Sequence, residues 1–219
     1  MPNVISLMNP KGGAGKTTTL VNLAATFAQE TKVAVADCDP QRSVLSWFGG
    51  TRPAFTVQAA SIRQVAALPS NPRAAQFGYI LIDTPAGLSA EESQLLAGIS
   101  DLVIIPVKCS LLDVEPAMQL LQTLTASSVK YKVLLTQVPP GNRNSVNTVK
   151  RMLHQRNVPF FKTSIRQLEA HVQAALNHKT IYETGSDARA ARWDFGNLSE
   201  EITEILSPQA LGENLLTHA

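Results

Sequence analysis

A glycine-rich segment near the start of the chain contains the residues of a phosphate-binding loop. Residues 9–19 read Asn-Pro-Lys-Gly-Gly-Ala-Gly-Lys-Thr-Thr-Thr. The standard pattern G-x-x-x-x-G-K-[ST] would place glycine at position 10, where this chain has Pro10, but Gly15, Lys16 and Thr17 are retained. Glycines adopt backbone angles that turn successive N–H groups towards phosphate oxygens at the positive end of a following helix. The segment therefore predicts a phosphate-binding loop of a variant type.

The chemistry of this loop predicts its nucleotide contacts. Lys16 is expected along the β- and γ-phosphates, and the Thr17 hydroxyl is expected to bind Mg²⁺. An apolar run at residues 4–8 precedes the loop, and apolar residues at helical spacing follow it. The loop is therefore predicted between a strand and a helix, with ATP and Mg²⁺ as cofactors. The expected nucleotide-binding residues are Lys11, Gly12, Gly13, Ala14, Gly15, Lys16, Thr17 and Thr18.

Lys11 gives the loop a resemblance to a known family. The run from Lys11 to Thr17 matches Lys-Gly-Gly-x-Gly-Lys-[Thr/Ser], the motif of the ParA/MinD group of deviant Walker ATPases. In that family the first lysine reaches the phosphates bound by the other subunit of a dimer that sandwiches ATP. The resemblance implies that Lys11 makes ATP binding control homodimerisation, and it places Lys11 and Lys16 among the catalytic residues. Because the chain starts close to its first strand, it is similar to the small, ParF-like partition proteins that lack an N-terminal helix-turn-helix domain.

Two acidic residues at predicted strand ends extend the resemblance. Residues 37–41, Asp-Cys-Asp-Pro-Gln, match the family's Asp-x-Asp-Pro-Gln motif, which implies that Asp39 positions the attacking water and reaches the metal through water. Residues 79–87 read as a buried strand that ends in Asp83, the Walker B arrangement, so Asp83 is expected to bind Mg²⁺ indirectly. Carboxylates suit these places because phosphoryl transfer requires mainly an oriented nucleophile and neutralised charge. Asp37 is expected to be either a structural group at the strand end or a group that supports the metal ligands without binding the metal.

The whole chain predicts one α/β domain. Its 219 residues, 44% of them hydrophobic, suffice for one full-sized core. Near-continuous apolar strands alternate with helical patterns, which predicts a P-loop NTPase with a mainly parallel, twisted sheet and helices on both faces. The ATPase domain is expected to span residues 1–206, followed by a short flexible tail at 207–219. The expected strands are 4–8, 33–36, 79–82, 102–107 and 133–138.

Several locations and site types are not expected. No apolar run approaches the ~20 residues that span a bilayer, and no signal peptide precedes the first strand, so a cytoplasmic location is expected. Cys38 and Cys109 are too few for a disulfide framework, a zinc site or the cluster of the nitrogenase iron-protein branch. MinD-like relatives end in a basic amphipathic helix that binds lipid, whereas residues 207–219 contain no lysine or arginine. No membrane partner is therefore expected.

Charge is distributed unevenly along the chain. The net charge is +2, but residues 116–168 contain eight basic and no acidic residues, and the balance reverses after Glu169. A basic face binds the phosphate backbone of nucleic acid without reading sequence. Non-specific DNA binding is also what the resemblance implies for the ATP-bound dimer, together with association with the nucleoid. The preferred DNA contacts are Arg143, Lys150, Arg151 and Arg166, with Arg189 and Arg192 as a second pair.

The predicted function is an ATP-dependent dimerising switch for the partition of plasmid or chromosomal DNA. It would hydrolyse ATP to ADP and phosphate weakly until a ParB-like adaptor stimulates it. One alternative is a MinD-like or organelle-positioning ATPase with a non-DNA cargo. Another is a small-molecule kinase or amide synthase of the dethiobiotin-synthetase type, although no segment is dedicated to a second substrate. A bacterial tyrosine kinase would carry a C-terminal tyrosine cluster, which this tail lacks.

Gln137 stands where relatives contact the adenine base, and many of them have Asn or Lys there.

Overall fold

The described chain forms a single sheet in which every pair of neighbouring strands is parallel. The computed structural model describes residues 1–207. The strand order is β3-β2-β4-β1-β5-β6-β7. The strands are β1 (Asn3–Leu7), β2 (Val33–Asp37), β3 (Thr56–Ala59), β4 (Tyr79–Asp83), β5 (Leu102–Lys108), β6 (Lys130–Val138) and β7 (Phe160–Arg166).

Helices cover both faces of this sheet and enclose two hydrophobic clusters. One cluster contains residues of α1, α2, α7 and α8, and the other contains residues of α3, α4, α5 and α6. The predicted α/β class, with helices on both faces of a parallel sheet, is therefore confirmed. The helices are α1 (Lys16–Phe27), α2 (Ser43–Phe48), α3 (Ile62–Ala66), α4 (Ala90–Ile99), α5 (Leu111–Thr125), α6 (Arg143–Gln155), α7 (Glu169–Leu176) and α8 (Arg189–Leu206).

The last helix within residues 1–207, α8, ends at Leu206. The expectation of a flexible tail falls, from residue 208 onwards, outside the described residues. None of the helices within residues 1–207 is long and apolar enough to cross a membrane.

The five expected strands are present, and two further strands lie at the sheet edges. β3 and β7 each pair with one neighbour only. β3 is largely exposed, and β7 mixes polar with apolar residues, so neither has the continuous apolar run of a strand covered on both faces. Sequence periodicity therefore identified the interior strands and missed the two edges.

The register of the strands brings the chemically important ends together. Leu7 at the end of β1 lies beside Asp83 at the end of β4, and Asp83 lies beside Asp37 at the end of β2. On the other side of β1, β5 ends at Lys108, which pairs with Thr136 of β6. Ligands of parallel sheets bind beyond these carboxyl ends. The fold thus places these residues together at the carboxyl ends of the central strands.

Candidate functional site

The phosphate loop connects β1 to α1, as predicted. Gly13 and Gly15 have φ angles of 69° and 86°, in the left-handed region that favours glycine. Gly15 precedes the first residue of α1, and no side chain caps the helix. The first N–H groups of a helix have no intrahelical acceptor, and the helix dipole makes that end positive. This end of α1 is therefore available to the phosphates of a nucleotide.

Two residues of β6 hold the loop in place. The Thr136 hydroxyl donates to the carbonyl of Ala14 at 2.8 Å, and the Gln137 amide donates to the carbonyl of Gly13 at 2.8 Å. Gln137 has a φ of 50°, unusual for a residue other than glycine. Gln137, which was expected near the adenine base, thus contacts the phosphate loop. Sequence reasoning missed this contact because it joins residues 124 positions apart.

Lys16 lies inside the loop. Its side chain is buried, and its Nζ lies 3.3 Å from the carbonyl oxygen of Asn9. Burial lowers the pKa of this ammonium, while the charges of Asp83 and Asp39 act in the opposite direction. A buried cation needs strong compensation from a partner. The phosphate oxygens expected at this loop provide it.

Thr17 and Asp83 supply oxygen atoms of the kind that Mg²⁺ prefers. The Thr17 hydroxyl donates to Oδ2 of Asp83 at 2.8 Å, and Oδ1 of Asp83 has no hydrogen-bond partner among residues 1–207. Burial raises the pKa of the Asp83 carboxyl to about 7 even though the Thr17 hydrogen bond lowers it. A hard divalent cation takes hydroxyl, carboxylate, phosphate and water oxygens. The unsatisfied carboxylate oxygen therefore fits a metal-bound water.

The two aspartates after β2 differ in their surroundings. Asp39 is half-buried, and its Oδ1 accepts from the backbone N–H of Gln41 at 2.8 Å. Asp37 is buried and accepts from the N–H of Leu45 at 3.1 Å, which anchors the start of α2. Burial raises the pKa of Asp37. The other oxygen of Asp37, Oδ1, is buried without a hydrogen-bond partner among residues 1–207. Asp39 is the more accessible carboxylate of this motif.

The ammonium group of Lys11 is bound by a residue outside the phosphate loop. Its ammonium pairs with the carboxylate of Asp113, in the first turn of α5. The side chain of Lys11 is 44% exposed and that of Asp113 is 14% exposed. Sequence reasoning missed Asp113, because the two residues are 102 positions apart and an acidic residue in the first turn of a helix is common. The Lys11 side chain thus lies at the surface, where it contacts α5.

The predicted DNA contacts separate into two groups. Arg143 and Arg151 are exposed on α6. Lys150 is half-buried; its Nζ donates to the carbonyl of Lys162 at 2.5 Å, and burial lowers its pKa. Arg166 makes an ion pair with the buried Asp194 of α8 at 2.7 Å.

Acidic residues of α8 therefore neutralise part of the positive charge of residues 116–168, which contain no acidic residue. Besides the pair of Arg166, Lys132 lies 3.5 Å from Glu201 of α8. In the second predicted pair, Arg192 donates to the carbonyls of Ile181 and Thr184 at 3.0 and 3.3 Å, whereas Arg189 is exposed. Within residues 1–207, α6 carries the most accessible of the four preferred cations.

The nucleotide-binding character of this geometry agrees with comparisons to known proteins. A sequence profile described as "CobQ/CobB/MinD/ParA nucleotide binding domain" matches residues 5–181. The chain belongs to this family. It is therefore a ParA/MinD-type ATPase with ATP and Mg²⁺ as cofactors, which confirms the resemblance, the activity and the cofactors predicted from the sequence.

Relatives within the family differ in their named roles. The chain is 31% identical over 203 residues to "Maintenance of carboxysome distribution protein A" of Gloeobacter kilaueensis, covering 92% of this chain and 94% of the relative. It is 24% identical over 208 residues to "Protein ParA" of Rhizobium radiobacter, covering 91% and 90%. The structure of MinD from Pyrococcus horikoshii complexed with Mg-ADP has a TM-score of 0.73 at 17% identity and covers 95% of this chain and all of that one. At this low identity, the similarity to the MinD structure shows a shared fold.

Proposed function

We propose that this ATPase is a dimerising switch that positions a large cargo over DNA. The observation that carries the proposal is the place of Lys11, which is half-exposed and paired with Asp113 beside the phosphate loop. A lysine in that place can be delivered to a nucleotide held by a second subunit once its partner is exchanged. ATP would then join two copies of the chain, and hydrolysis would separate them.

Each polar group of the site receives a role in this cycle. Lys16 and the uncapped start of α1 bind the phosphates and neutralise their charge. Thr17 and Asp83 hold Mg²⁺, which stabilises the charge that develops on the phosphate oxygens. Asp39 orients the attacking water, and the partner's copy of the Lys11 ammonium completes the charge balance. Gly12, Gly13, Ala14, Gly15 and Thr18 supply the backbone of the loop.

Dimerisation is tested by light scattering of the purified protein with ATP, with ADP and without nucleotide. Wild type is expected to dimerise with ATP only, and Lys11→Ala is expected to remain monomeric while still binding ATP. Lys32→Ala, which removes an exposed lysine at the opposite end of the sheet, serves as the matched control. An ATP-dependent dimer of the Lys11 variant would reject the switch.

The role of Asp39 is tested separately by single-turnover hydrolysis. Asp39→Ala is expected to bind ATP and to dimerise, but to hydrolyse at least about a hundredfold more slowly, since a positioned catalytic group contributes roughly 10²–10⁴ in rate. Turnover close to wild type would exclude Asp39 as the group that orients water.

The proposed DNA surface centres on α6. Arg143 and Arg151 are its exposed cations, and their contacts with phosphate would make binding independent of sequence and sensitive to salt. Lys150 and Arg166 are engaged within the chain, so we assign them a supporting role. The double variant Arg143→Glu, Arg151→Glu is expected to lose retention of DNA by the ATP-loaded protein and to keep its basal ATPase rate. Arg63→Glu, which changes an exposed arginine of α3, is the control. Unchanged DNA retention would reject this surface.

We propose DNA, joined through a ParB-like adaptor, as the cargo, because the chain resembles ParA along almost its whole length. A proteinaceous organelle is the second candidate, favoured by the 31% identity to "Maintenance of carboxysome distribution protein A". A pull-down distinguishes the two cargoes. Asp39→Ala protein loaded with ATP serves as the bait, and the products of neighbouring genes are tested for binding to it. A captured adaptor that binds a specific DNA sequence supports DNA cargo, whereas one that binds an organelle shell supports the second candidate. Imaging of a fluorescent fusion tests the expected association with the nucleoid.

A further inference from the structure

A third lysine approaches the phosphate loop from β5. Lys108 is the last residue of β5, the strand that lies beside β1. A Cβ atom built on Gly13 would lie 4.0 Å from the Nζ of Lys108. The Lys108 ammonium is thus next to the turn of the loop that Gly13 forms.

The backbone around Lys108 is fixed to the same loop. Lys108 pairs with Thr136 in the sheet, and the N–H of Cys109 donates to the Thr136 carbonyl at 3.2 Å. The hydroxyl of Thr136 in turn donates to the carbonyl of Ala14. One residue of β6 therefore links the end of β5 to the phosphate loop, so the position of Lys108 relative to Gly13 follows from the sheet.

The ammonium of Lys108 has no hydrogen-bond or ion-pair partner within residues 1–207, although the residue is half-buried. The other two lysines at the loop do have acceptors: Lys11 pairs with Asp113, and Lys16 contacts the carbonyl of Asn9. The Nζ of Lys108 is not among the buried unpartnered atoms of residues 1–207, so it reaches solvent and is open to an anion bound at the loop. Lys11, Lys16 and Lys108 thus bring three ammonium groups to the phosphate loop, where the carboxylates of Asp39, Asp83 and Asp113 also lie. A polyanion such as a nucleotide phosphate chain would bind the ammonium of Lys108 without displacing a partner.

We propose that Lys108 binds the phosphate chain of the nucleotide held by its own subunit. The inference deepens the site roles proposed above and is independent of the cargo and of the DNA surface. Lys16 approaches the phosphates from inside the loop, and Lys11 is proposed to reach a second subunit. Lys108 approaches from the adjacent strand, on the Gly13 side. Its contribution is to nucleotide affinity, because it pairs with charge that is present in ADP as well as in ATP.

The test compares Lys108→Met with Lys108→Arg. Methionine keeps most of the length and the apolar stem of lysine but removes its charge, whereas arginine restores a charge. Dissociation constants for ATP and for ADP are measured with Mg²⁺ at low and high salt, and the melting temperature is measured without nucleotide. Lys32→Met, the same change at an exposed site, is the matched control.

The proposal expects Lys108→Met to weaken the binding of both nucleotides about tenfold, the value of one charge-assisted hydrogen bond, and more at low salt than at high salt. Lys108→Arg is expected to recover most of this loss, and the melting temperature is expected to stay close to that of wild type. Nucleotide binding by Lys108→Met equal to that of the control would overturn the proposal. A lowered melting temperature, with affinity lost in the arginine variant as well, would assign Lys108 a structural role instead.

Two further outcomes separate this inference from the function proposed above. If ADP binding is unchanged and only ATP-driven dimerisation is lost, Lys108 acts across the dimer and the assignment to its own subunit is wrong. If the wild-type protein itself binds neither nucleotide, the proposed roles of the loop residues fail together with Lys108. Loss of affinity in Lys108→Met with normal dimerisation at saturating ATP supports the inference whatever the cargo.

Discussion

Lys11 and Asp113 form an ion pair between the phosphate loop and the first turn of α5, within one subunit. Surface ion pairs contribute at most about 1 kcal/mol, because water screens them and two side chains lose freedom. Exchange of this partner for the negatively charged phosphates of ATP in a second subunit is therefore energetically feasible. The pair holds the family's first lysine beside the place where the proposed dimer needs it.

Asp113→Asn is predicted to favour the dimer. The substitution removes the charge that competes with phosphate for Lys11, and the amide keeps the size of the side chain. Half-maximal dimerisation is expected at an ATP concentration about two- to fivefold lower, matching a pair worth at most about 1 kcal/mol. Light scattering during an ATP titration measures this, with Glu115→Gln, on the exposed face of the same helix, as control. A higher ATP requirement would show that Asp113 assists the dimer instead of competing with it.

Gln137→Gly is predicted to loosen the phosphate loop at little cost to folding. Glycine adopts a φ of 50° freely, so relief of backbone strain, about 1 kcal/mol, offsets loss of the hydrogen bond to Gly13, also about 1 kcal/mol. The free energy of unfolding is thus expected to stay within about 1 kcal/mol of wild type, while the dissociation constant for ATP rises several-fold. Denaturant unfolding and nucleotide titration of the same sample give both quantities. Unchanged affinity would show that the loop keeps its shape without Gln137.

The residues of the loop and of the two carboxylate motifs could be predicted because each motif is contiguous in sequence. The spacing of Gly13, Gly15, Lys16 and Thr17 alone specifies a turn that leads into a helix, and the structure has that turn. Contacts with distant strands could not be found in this way. Asp113 lies 102 residues from Lys11, and which side chains meet there depends on the order of strands in the sheet.

Charge counting along the chain could not show which cations pair with acidic residues of another element. Arg166 lies in a stretch without acidic residues, but α8 packs against β7 and brings Asp194 to it. Glu201, about two turns further along the same face of α8, accepts from the N–H groups of Lys162 and Thr163. The acidic residues of α8 thus bind N–H groups and a guanidinium of the edge strand β7. The charges along a sequence therefore predict a basic surface only where no helix with acidic residues packs against them.

Arg166→Met is predicted to destabilise the fold. The side chain of Asp194 is only 7% exposed and accepts from the guanidinium of Arg166, so removal of that group leaves a carboxylate buried without its counter-charge. Breaking such a pair costs about 3 kcal/mol, and partial exposure of Arg166 reduces this to about 2 kcal/mol. Urea denaturation measures the loss. Arg151→Met, on the exposed face of α6, is expected to change stability by less than about 0.5 kcal/mol. Equal stability of the two variants would contradict the structural role of Arg166.

His171 is predicted to make the fold less stable in mild acid. The imidazole of this α7 residue packs edge-on against Phe195 with ring centroids 5.9 Å apart, and its Nε2 is buried without a partner among residues 1–207. Burial lowers its pKa below 6.5; the charge of Arg166 lowers it further, and that of Asp194 acts against both.

The sign of the effect follows from these directions. A histidine whose pKa is lower in the folded chain binds protons more readily when the chain is unfolded, so its contribution to stability is full above pH 6.5 and is lost as the pH falls below that value. His171→Phe keeps an aromatic ring beside Phe195 and removes the titration. Urea midpoints of both proteins, measured from neutral pH to about pH 5, are expected to diverge, with wild type losing more stability on acidification. Parallel curves would show that protonation of His171 is not coupled to unfolding.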